Sequence, residues 1–197
     1  MTEIVNDQLV LISGESGTGK SASLQNIPNQ ERWLYLNCEA GKRLPFRNKF
    51  NAHVVTDPYQ VYEGFEHVKG NKDFDGVIVD TLTFLMDMFE SVYIVGSTQT
   101  QAAWGAYAQF FKNLMQQHVA ASDKQVIFLS HTRADYDEKA LEMKTSVPVK
   151  GSLKNNGIEA YFSTVVSTKK ITLKDLEPYK SDLLKITEQD EIGRAHV

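Results

Sequence analysis

A glycine-rich motif near the amino terminus constrains this chain more than any other feature. Residues 14–21 match G-x-x-x-x-G-K-[ST] in full, and they follow an apolar run, residues 9–12, that predicts a buried strand. Glycines in this motif let the backbone curl until its N–H groups point at phosphate oxygens. The lysine reaches the β- and γ-phosphates, and the serine after it ligates Mg²⁺. The sequence therefore predicts a phosphate loop for a nucleoside triphosphate and Mg²⁺, formed by Gly14, Glu15, Ser16, Gly17, Thr18, Gly19, Lys20 and Ser21.

Composition limits the classes of protein that remain. The 197 residues, 42% of them hydrophobic, suit one α/β domain with a full-sized core. Lys and Arg number 21 against 25 Asp and Glu, so the net charge of −4 provides no general basic field, and any contact with nucleic acid has to be local. No apolar run is long enough to cross a bilayer, and the first residues lack a signal peptide, which predicts a cytoplasmic protein without a membrane partner. The single cysteine, Cys38, excludes an internal disulfide.

We interpret the last seven residues, 191–197, as not belonging to the native protein. They are the translation of a string that resembles a common sequencing adapter, which indicates a non-native tail on a truncated gene. A native flexible tail is the alternative. The expected organisation is one domain over residues 1–190, truncated at its carboxyl end.

Apolar runs alternate with helical patterns along the chain, which is typical of a parallel sheet with crossover helices. We expect strands at residues 9–13, 33–37, 53–55, 76–80, 125–130 and 161–167. We expect helices from Lys20 to a stop before Pro28, over 58–69 and over 102–121. The first helix would place the positive end of its dipole beneath the phosphates. Residues 132–150 have no apolar periodicity, so we expect a functional or mobile loop without regular structure there.

Two carboxylates are placed to act on a bound nucleotide. Asp80 closes the apolar run 76–80, which puts it at the carboxyl edge of the sheet beside the phosphate loop, where it would hold Mg²⁺ through water. Glu39 follows the strand at 33–37 and could face the γ-phosphate and orient the attacking water. Position alone leaves Glu39 open between this role and that of a solvated loop acid.

These motifs, in this order, resemble the ATPase core of the RecA type. The phosphate loop is followed by strands that end in Asn37-Cys38-Glu39, in Asp80 and in Ser130-His131, and the match covers most of residues 8–170. The resemblance implies a RecA-like P-loop NTPase of the α/β class, with a mostly parallel central sheet flanked by helices. It implies that Glu39 activates water and that Lys20 contacts the γ-phosphate. It also implies that His131, where the family generally has glutamine, senses that phosphate. The family's separate amino-terminal oligomerisation domain has no counterpart here.

Within that superfamily the chain is most similar to compact phage-encoded recombinases and single-strand annealing ATPases. The similarity rests on the short chain, the Trp104-Gly105 pair and the sequence Ser130-His131-Thr132. It implies Mg²⁺-dependent ATP hydrolysis on single-stranded DNA in recombination, annealing or repair, in the host cytoplasm, with a single-strand-binding or replication protein as a further partner. The alternative is a nucleotide-gated binding protein, such as a helicase loader or regulator, with little turnover. A nucleotide kinase would need an arginine-rich lid and a GTPase an Asn-Lys-x-Asp sequence, and the sequence contains neither.

DNA contact would fall, as the resemblance implies, on residues 96–103 and 132–150. In the second segment Tyr136 could stack on a base, and the basic residues could meet phosphates. These basic residues are Arg133, Lys139, Lys144 and Lys150. The alternative is a solvated loop whose four acids balance its four bases.

The resemblance also implies a homo-oligomer with nucleotide held between subunits. Lys169 and Lys170 would then reach the γ-phosphate of a neighbour, although a pair of surface lysines explains them equally well. A second basic run contains Lys42, Arg43, Arg47 and Lys49. It could serve DNA or a partner, but a charged surface is the simpler explanation for it.

Overall fold

The computed structural model describes residues 9–137, 141–155 and 157–179. Within these ranges the strands are β1 (Leu9–Gly14), β2 (Trp33–Asn37), β3 (Asn51–Val54), β4 (Gly76–Asp80), β5 (Gln125–His131), β6 (Arg133–Asp137), β7 (Glu142–Ser146) and β8 (Thr164–Thr168). The α-helices are α1 (Gln60–Val68), α2 (Leu82–Phe89), α3 (Thr100–Asn113) and α4 (Leu173–Leu176). No helix in the described part of the chain is long and apolar enough to cross a membrane. The predicted tail, 191–197, and the boundary at residue 190 lie outside these ranges.

Six parallel strands form one sheet in the order β3-β2-β4-β5-β1-β8. All six carboxyl ends therefore lie at one edge, which we call the carboxyl edge. The register places Asn37 opposite Asp80 and Gly14 opposite His131 along that edge. The predicted α/β class with a mostly parallel central sheet is confirmed, and the sequence positions chosen for chemistry come together at one end of it.

The central strands are buried on both faces, which is why they are apolar throughout rather than alternating with polar residues. In β4, Val77 and Val79 belong to the larger core cluster that contains residues of α1, α2 and α3, while Ile78 belongs to a smaller cluster with Trp33. All three β4 side chains are fully buried. Gly76 begins the strand because a Cβ there would lie 2.3 Å from the Trp33 ring. A side chain at this position would push the ring out of the core.

The predicted helices lie at the expected positions, but two of them differ in helix type from the prediction and further helices are present. The phosphate loop leads into a six-residue 3₁₀-helix, Ser21–Asn26, which ends before Pro28 as expected. A 3₁₀-helix of this length contributes a smaller dipole beneath the phosphates than the α-helix we expected. The predicted helix at 102–121 is α3 followed by a π-helical segment, Leu114–Val119.

Helix α2 is absent from the sequence prediction, although its signals are present. It begins directly after Asp80, and the Thr81 side chain accepts a hydrogen bond from the backbone N–H of Phe84 at 3.5 Å, as an N-cap does. Buried apolar residues recur along it at helical spacing: Leu82, Leu85, Met86 and Phe89. The strand and the helix are both apolar, so the boundary between them is invisible in hydrophobicity alone.

Residues 132–150 contain regular structure, contrary to the sequence prediction. Strands β6 and β7 form an antiparallel hairpin in which Tyr136 lies opposite Met143 and Asp135 opposite Lys144. The prediction of an unstructured loop was wrong because it relied on apolar periodicity, which marks strands that bury one face. A two-stranded ribbon with exposed side chains on both faces does not need that pattern.

Candidate functional site

The phosphate loop, residues 14–21, is a turn with three positions that require glycine. Gly17 has φ of +73° and Gly19 of +101°, a region that L side chains rarely adopt. At Gly14 the obstacle is a close neighbour, since an added Cβ would lie 2.2 Å from the Thr168 hydroxyl oxygen. That hydroxyl is also 2.6 Å from the Thr18 hydroxyl, so the end of β8 supports the loop from beneath. The loop has the open backbone that a phosphate cradle requires.

Lys20 folds back over the loop that carries it. Its Nζ donates hydrogen bonds to the carbonyl oxygens of Gly14 at 2.9 Å and Glu15 at 2.8 Å, and the residue is only 5% exposed. Burial lowers the pKa of Lys20, and the nearby carboxylates of Glu39 and Asp80 oppose that shift. The ammonium is thus held at the mouth of the loop, where it would meet the terminal phosphates of a nucleotide.

Asp80 presents its carboxylate between two hydroxyl donors. Its Oδ2 accepts hydrogen bonds from the Tyr35 phenol at 2.6 Å and from the Ser21 hydroxyl at 3.2 Å. The other oxygen, Oδ1, is buried and has no hydrogen-bond partner within the described residues. Burial raises the pKa of Asp80, while the hydrogen bonds from Tyr35 and Ser21 lower it. An unsatisfied buried carboxylate oxygen beside a serine hydroxyl is the donor set that a Mg²⁺ ion with its water ligands suits.

Tyr35 is a site residue that sequence analysis did not identify. It lies on β2, beside the strand that carries Asp80, and its ring stacks on Phe50 with centroids 5.8 Å apart. Burial, followed by the charge of Asp80, raises the pKa of the phenol, so it remains a proton donor to that carboxylate. An aromatic residue in an apolar strand carries no sequence signal for such a role, since most belong simply to the core.

Glu39 and His131 meet across the carboxyl edge. Glu39 Oε1 lies 3.3 Å from His131 Nε2, and His131 Nδ1 lies 3.4 Å from Lys20 Nζ. The Glu39 side chain is 9% exposed. The contact with His131, supplemented by Lys42, lowers the pKa of Glu39 to about 2 despite its burial. Glu39 is therefore an ionised carboxylate inside the site rather than a solvated loop acid.

Helix α2, which the sequence did not predict, positions His131. The backbone N–H of His131 donates a hydrogen bond to the Thr83 hydroxyl at 2.9 Å, and that hydroxyl is also 2.9 Å from the Ser130 hydroxyl. The Phe84 ring packs edge-on against the imidazole, with centroids 5.6 Å apart. The first turn of α2 thus fixes the end of β5. A shift of His131 by one position would break its contact with Glu39.

Most of the residues predicted for the phosphate loop, the metal and catalysis line one cavity of about 200 Å³. Its walls include Gly17, Gly19, Lys20 and Ser21 from the phosphate loop, and Glu39, Asp80 and His131 from the other strands. Residues 42–45, which follow Glu39, complete the rim. The phosphate-loop, metal and catalytic predictions therefore converge on a single open site.

The predicted DNA-binding residues are not gathered in this way. Arg133, Tyr136 and Lys144 lie on the β6–β7 hairpin, whereas Lys150 lies away from it and pairs with Glu90. Arg133 Nε donates to Asp135 Oδ1 at 2.8 Å on the same strand. Lys139 lies outside the described residues. A DNA-binding role for these residues stays a prediction.

Lys169 and Lys170 follow β8 and are exposed. A Cβ added at Gly17 would lie 3.4 Å from the Lys170 Nζ of the same chain, so this ammonium is close to its own phosphate loop. Delivery of either lysine to a neighbouring subunit stays a prediction.

Comparison with known families agrees with this geometry. A family model described as "AAA domain" matches residues 6–189, which is nearly the whole chain. No curated protein matches the chain.

Proposed function

We propose that this chain, which belongs to the AAA domain family of P-loop ATPases, hydrolyses ATP with Mg²⁺ and does so on single-stranded DNA. One observation carries the catalytic part of the proposal. A phosphate loop, a buried aspartate whose Oδ1 has no partner among the described residues, and an ionised glutamate face the same cavity. These are the groups that phosphoryl transfer to water requires, since its catalysis is mainly positioning and charge stabilisation.

Each group has a defined task. The backbone N–H groups of residues 14–21 and the Lys20 ammonium bind the β- and γ-phosphates. Ser21 and Asp80 would hold Mg²⁺, which, when bound, neutralises charge on the phosphate oxygens. Lys20 leaves its carbonyl partners for the phosphates, which are stronger acceptors because they are charged.

Glu39 is the general base. A water molecule donates one proton to its carboxylate while the water oxygen forms a bond to the γ-phosphorus. The bond from that phosphorus to the β–γ bridging oxygen breaks, its electron pair stays with ADP, and inorganic phosphate is the second product. The contacts with His131 and Lys42 lower the pKa of Glu39 to about 2, which keeps it ionised at neutral pH but makes it a weak base, so release of a partner would strengthen it.

The hairpin supports the DNA part of the proposal. His131 ends β5 at the site, and Arg133 begins β6 two residues later, so a shift of the histidine upon phosphate binding would be passed directly to the hairpin. Tyr136 is 57% exposed and lies opposite Met143, which is 62% exposed. An exposed aromatic ring on a hairpin that also carries Arg133 and Lys144 suits the stacking and phosphate contacts of single-stranded DNA.

A nucleotide-gated binding protein with little turnover is the second candidate. The contacts of Glu39 favour this candidate, because His131 contacts one of its carboxylate oxygens and Lys42 contacts the other. A base held in this way is slow unless a ligand rearranges it.

ATP turnover with and without single-stranded DNA separates the two candidates. The proposed ATPase shows Mg²⁺-dependent phosphate release that single-stranded DNA stimulates, and Glu39→Gln removes it. Tight ATP binding with negligible release in both conditions would instead support the gated binding protein. DNA-independent turnover would retain the ATPase and remove the proposal that it acts on single-stranded DNA.

A further inference from the structure

The turn after β2 holds a lysine against the proposed base. The Asn37 side chain clamps the turn at both ends, because its Oδ1 accepts from the Glu39 N–H at 2.9 Å and its Nδ2 donates to the Lys42 carbonyl at 2.9 Å. Ala40 and Gly41 adopt left-handed φ angles of 52° and 76° within it. This geometry brings the Lys42 Nζ to 2.7 Å from Glu39 Oε2.

This ion pair weakens Glu39 as a base, because a nearby cation stabilises the ionised carboxylate. His131 already contacts Oε1 of Glu39 at 3.3 Å, so Lys42 on Oε2 leaves neither oxygen uncommitted. The Glu39 side chain is 9% exposed, whereas that of Lys42 is 66% exposed. Each oxygen keeps a second lone pair, but a cation on Oε2 makes Glu39 a weaker base, and the exposed lysine is the partner that is easier to move.

The strengths of the competing contacts decide where Lys42 goes when nucleotide binds. An ion pair with one member in solvent contributes little to stability. A γ-phosphate carries more negative charge than a carboxylate and offers more acceptor oxygens, and hydrogen bonds between charged groups are the stronger ones. Lys42 already lines the same cavity as Lys20, so it needs only side-chain rotation to face a phosphate there.

We propose that Lys42 is a γ-phosphate sensor: it leaves Glu39 for the γ-phosphate when ATP binds, and so frees the base for the attacking water. This inference rests on the proposed ATPase function and assigns a residue that sequence analysis treated as charged surface. Since ADP has no γ-phosphate, the lysine stays on Glu39 when ADP is bound. Lys42 therefore makes the site prefer ATP to ADP and couples that preference to activation of the base.

The test uses Lys42→Met, which keeps most of the side-chain length but removes the charge, and Lys42→Arg, which retains a positive charge. Lys49→Met is the matched control, because Lys49 is an exposed lysine of the same connection that does not line the cavity. Affinities for ADP and for β,γ-imido-ATP, each with Mg²⁺, are measured by calorimetry, together with kcat and KM for ATP.

Lys42→Met should weaken binding of the ATP analogue about tenfold or more, the value of one hydrogen bond between charged groups, while ADP affinity stays within about twofold. Because Lys42→Met leaves Glu39 without the lysine, kcat at saturating ATP should not fall; Lys42→Arg should recover part of the lost affinity, and Lys49→Met should match the wild type. Equal losses for both nucleotides, or no loss for either, would overturn the sensor role while leaving nucleotide binding intact. If the wild-type protein binds neither nucleotide, the proposed function itself is wrong.

Discussion

The carboxyl edge of the sheet and the β6–β7 hairpin are built in opposite ways. At the edge, Lys20 and Asp80 are 5% and 2% exposed, and their contacts join residues far apart in the chain, such as Lys20 and His131. On the hairpin, Tyr136 is 57% exposed, and Arg133 pairs with a residue two positions away.

This difference indicates how much each region depends on the rest of the fold. The edge is held by the parallel sheet and α2, so most of its polar groups are in place before any ligand arrives. A two-stranded hairpin is only marginally stable by itself, and this one presents its side chains to solvent. Substitutions at the edge should therefore affect nucleotide chemistry strongly, and those on the hairpin should affect only partner binding.

The largest expected effect is on turnover, from Glu39→Gln. The substitution keeps the shape of the side chain but removes the base, so kcat should fall by about 10²–10⁴-fold while ATP affinity is retained. Glu142→Gln on the hairpin is the matched control and should leave basal turnover unchanged. Steady-state phosphate release measures both. Comparable turnover in the two variants would show that the carboxyl edge does not supply the base.

Lys20→Ala should weaken nucleotide binding by about 100-fold, since a buried charged donor to the phosphates is lost. Lys144→Ala removes a lysine from the hairpin and should leave that affinity unaltered. Calorimetric titration with an ATP analogue provides the comparison. Nucleotide affinity that survives Lys20→Ala would mean that the phosphate loop is not the binding site.

Tyr136→Ala should weaken binding of single-stranded DNA about tenfold, which corresponds to the loss of one stacked base. Tyr136→Phe keeps the ring and should bind as the wild type does, and nucleotide affinity should be the same in all three proteins. Fluorescence anisotropy with a labelled oligonucleotide measures the effect. If the alanine variant binds DNA normally, the hairpin is not the contact surface.

Tyr35→Phe should raise the Mg²⁺ concentration needed for half-maximal turnover about fivefold. It removes only the hydroxyl that orients Asp80, and the net contribution of a typical hydrogen bond is of that size. Tyr62→Phe is the control, since its hydroxyl donates to the Phe110 carbonyl, which belongs to the helical layer rather than the site. An unchanged Mg²⁺ requirement in Tyr35→Phe would reduce Tyr35 to a core residue.

The last prediction concerns the pH dependence of stability. The pKa of Glu39 is about 2 in the folded protein and 4.5 ordinarily, so its ionised form stabilises the fold above about pH 4.5. That contribution is lost as pH falls from about 4.5 towards 2. The difference in free energy of unfolding between the wild type and Glu39→Gln should therefore shrink over this interval in urea titrations. A difference that is constant with pH would show that Glu39 is not held by His131 and Lys42.

The sequence predicted elements best where the signal is contiguous. The strands at 33–37 and 76–80 have the predicted bounds, because continuous apolar runs bounded by polar residues mark strands buried on both faces. The strand predicted at 161–167 begins three residues later, after a 3₁₀ turn at Glu159–Tyr161. Helix α2 and the hairpin were missed because one merges into an apolar strand and the other buries no face.

By itself the sequence determined the phosphate loop and the position of Asp80 at the end of its strand. Both follow from local rules: glycine spacing sets the backbone of the loop, and the strand pattern sets which residue reaches the edge. Only the tertiary structure decided which side chains Asp80 and Glu39 contact. The hydroxyl of Tyr35, the imidazole of His131 and the ammonium of Lys42 arrive from separate segments. Their distances depend on strand register and packing, which no local pattern encodes.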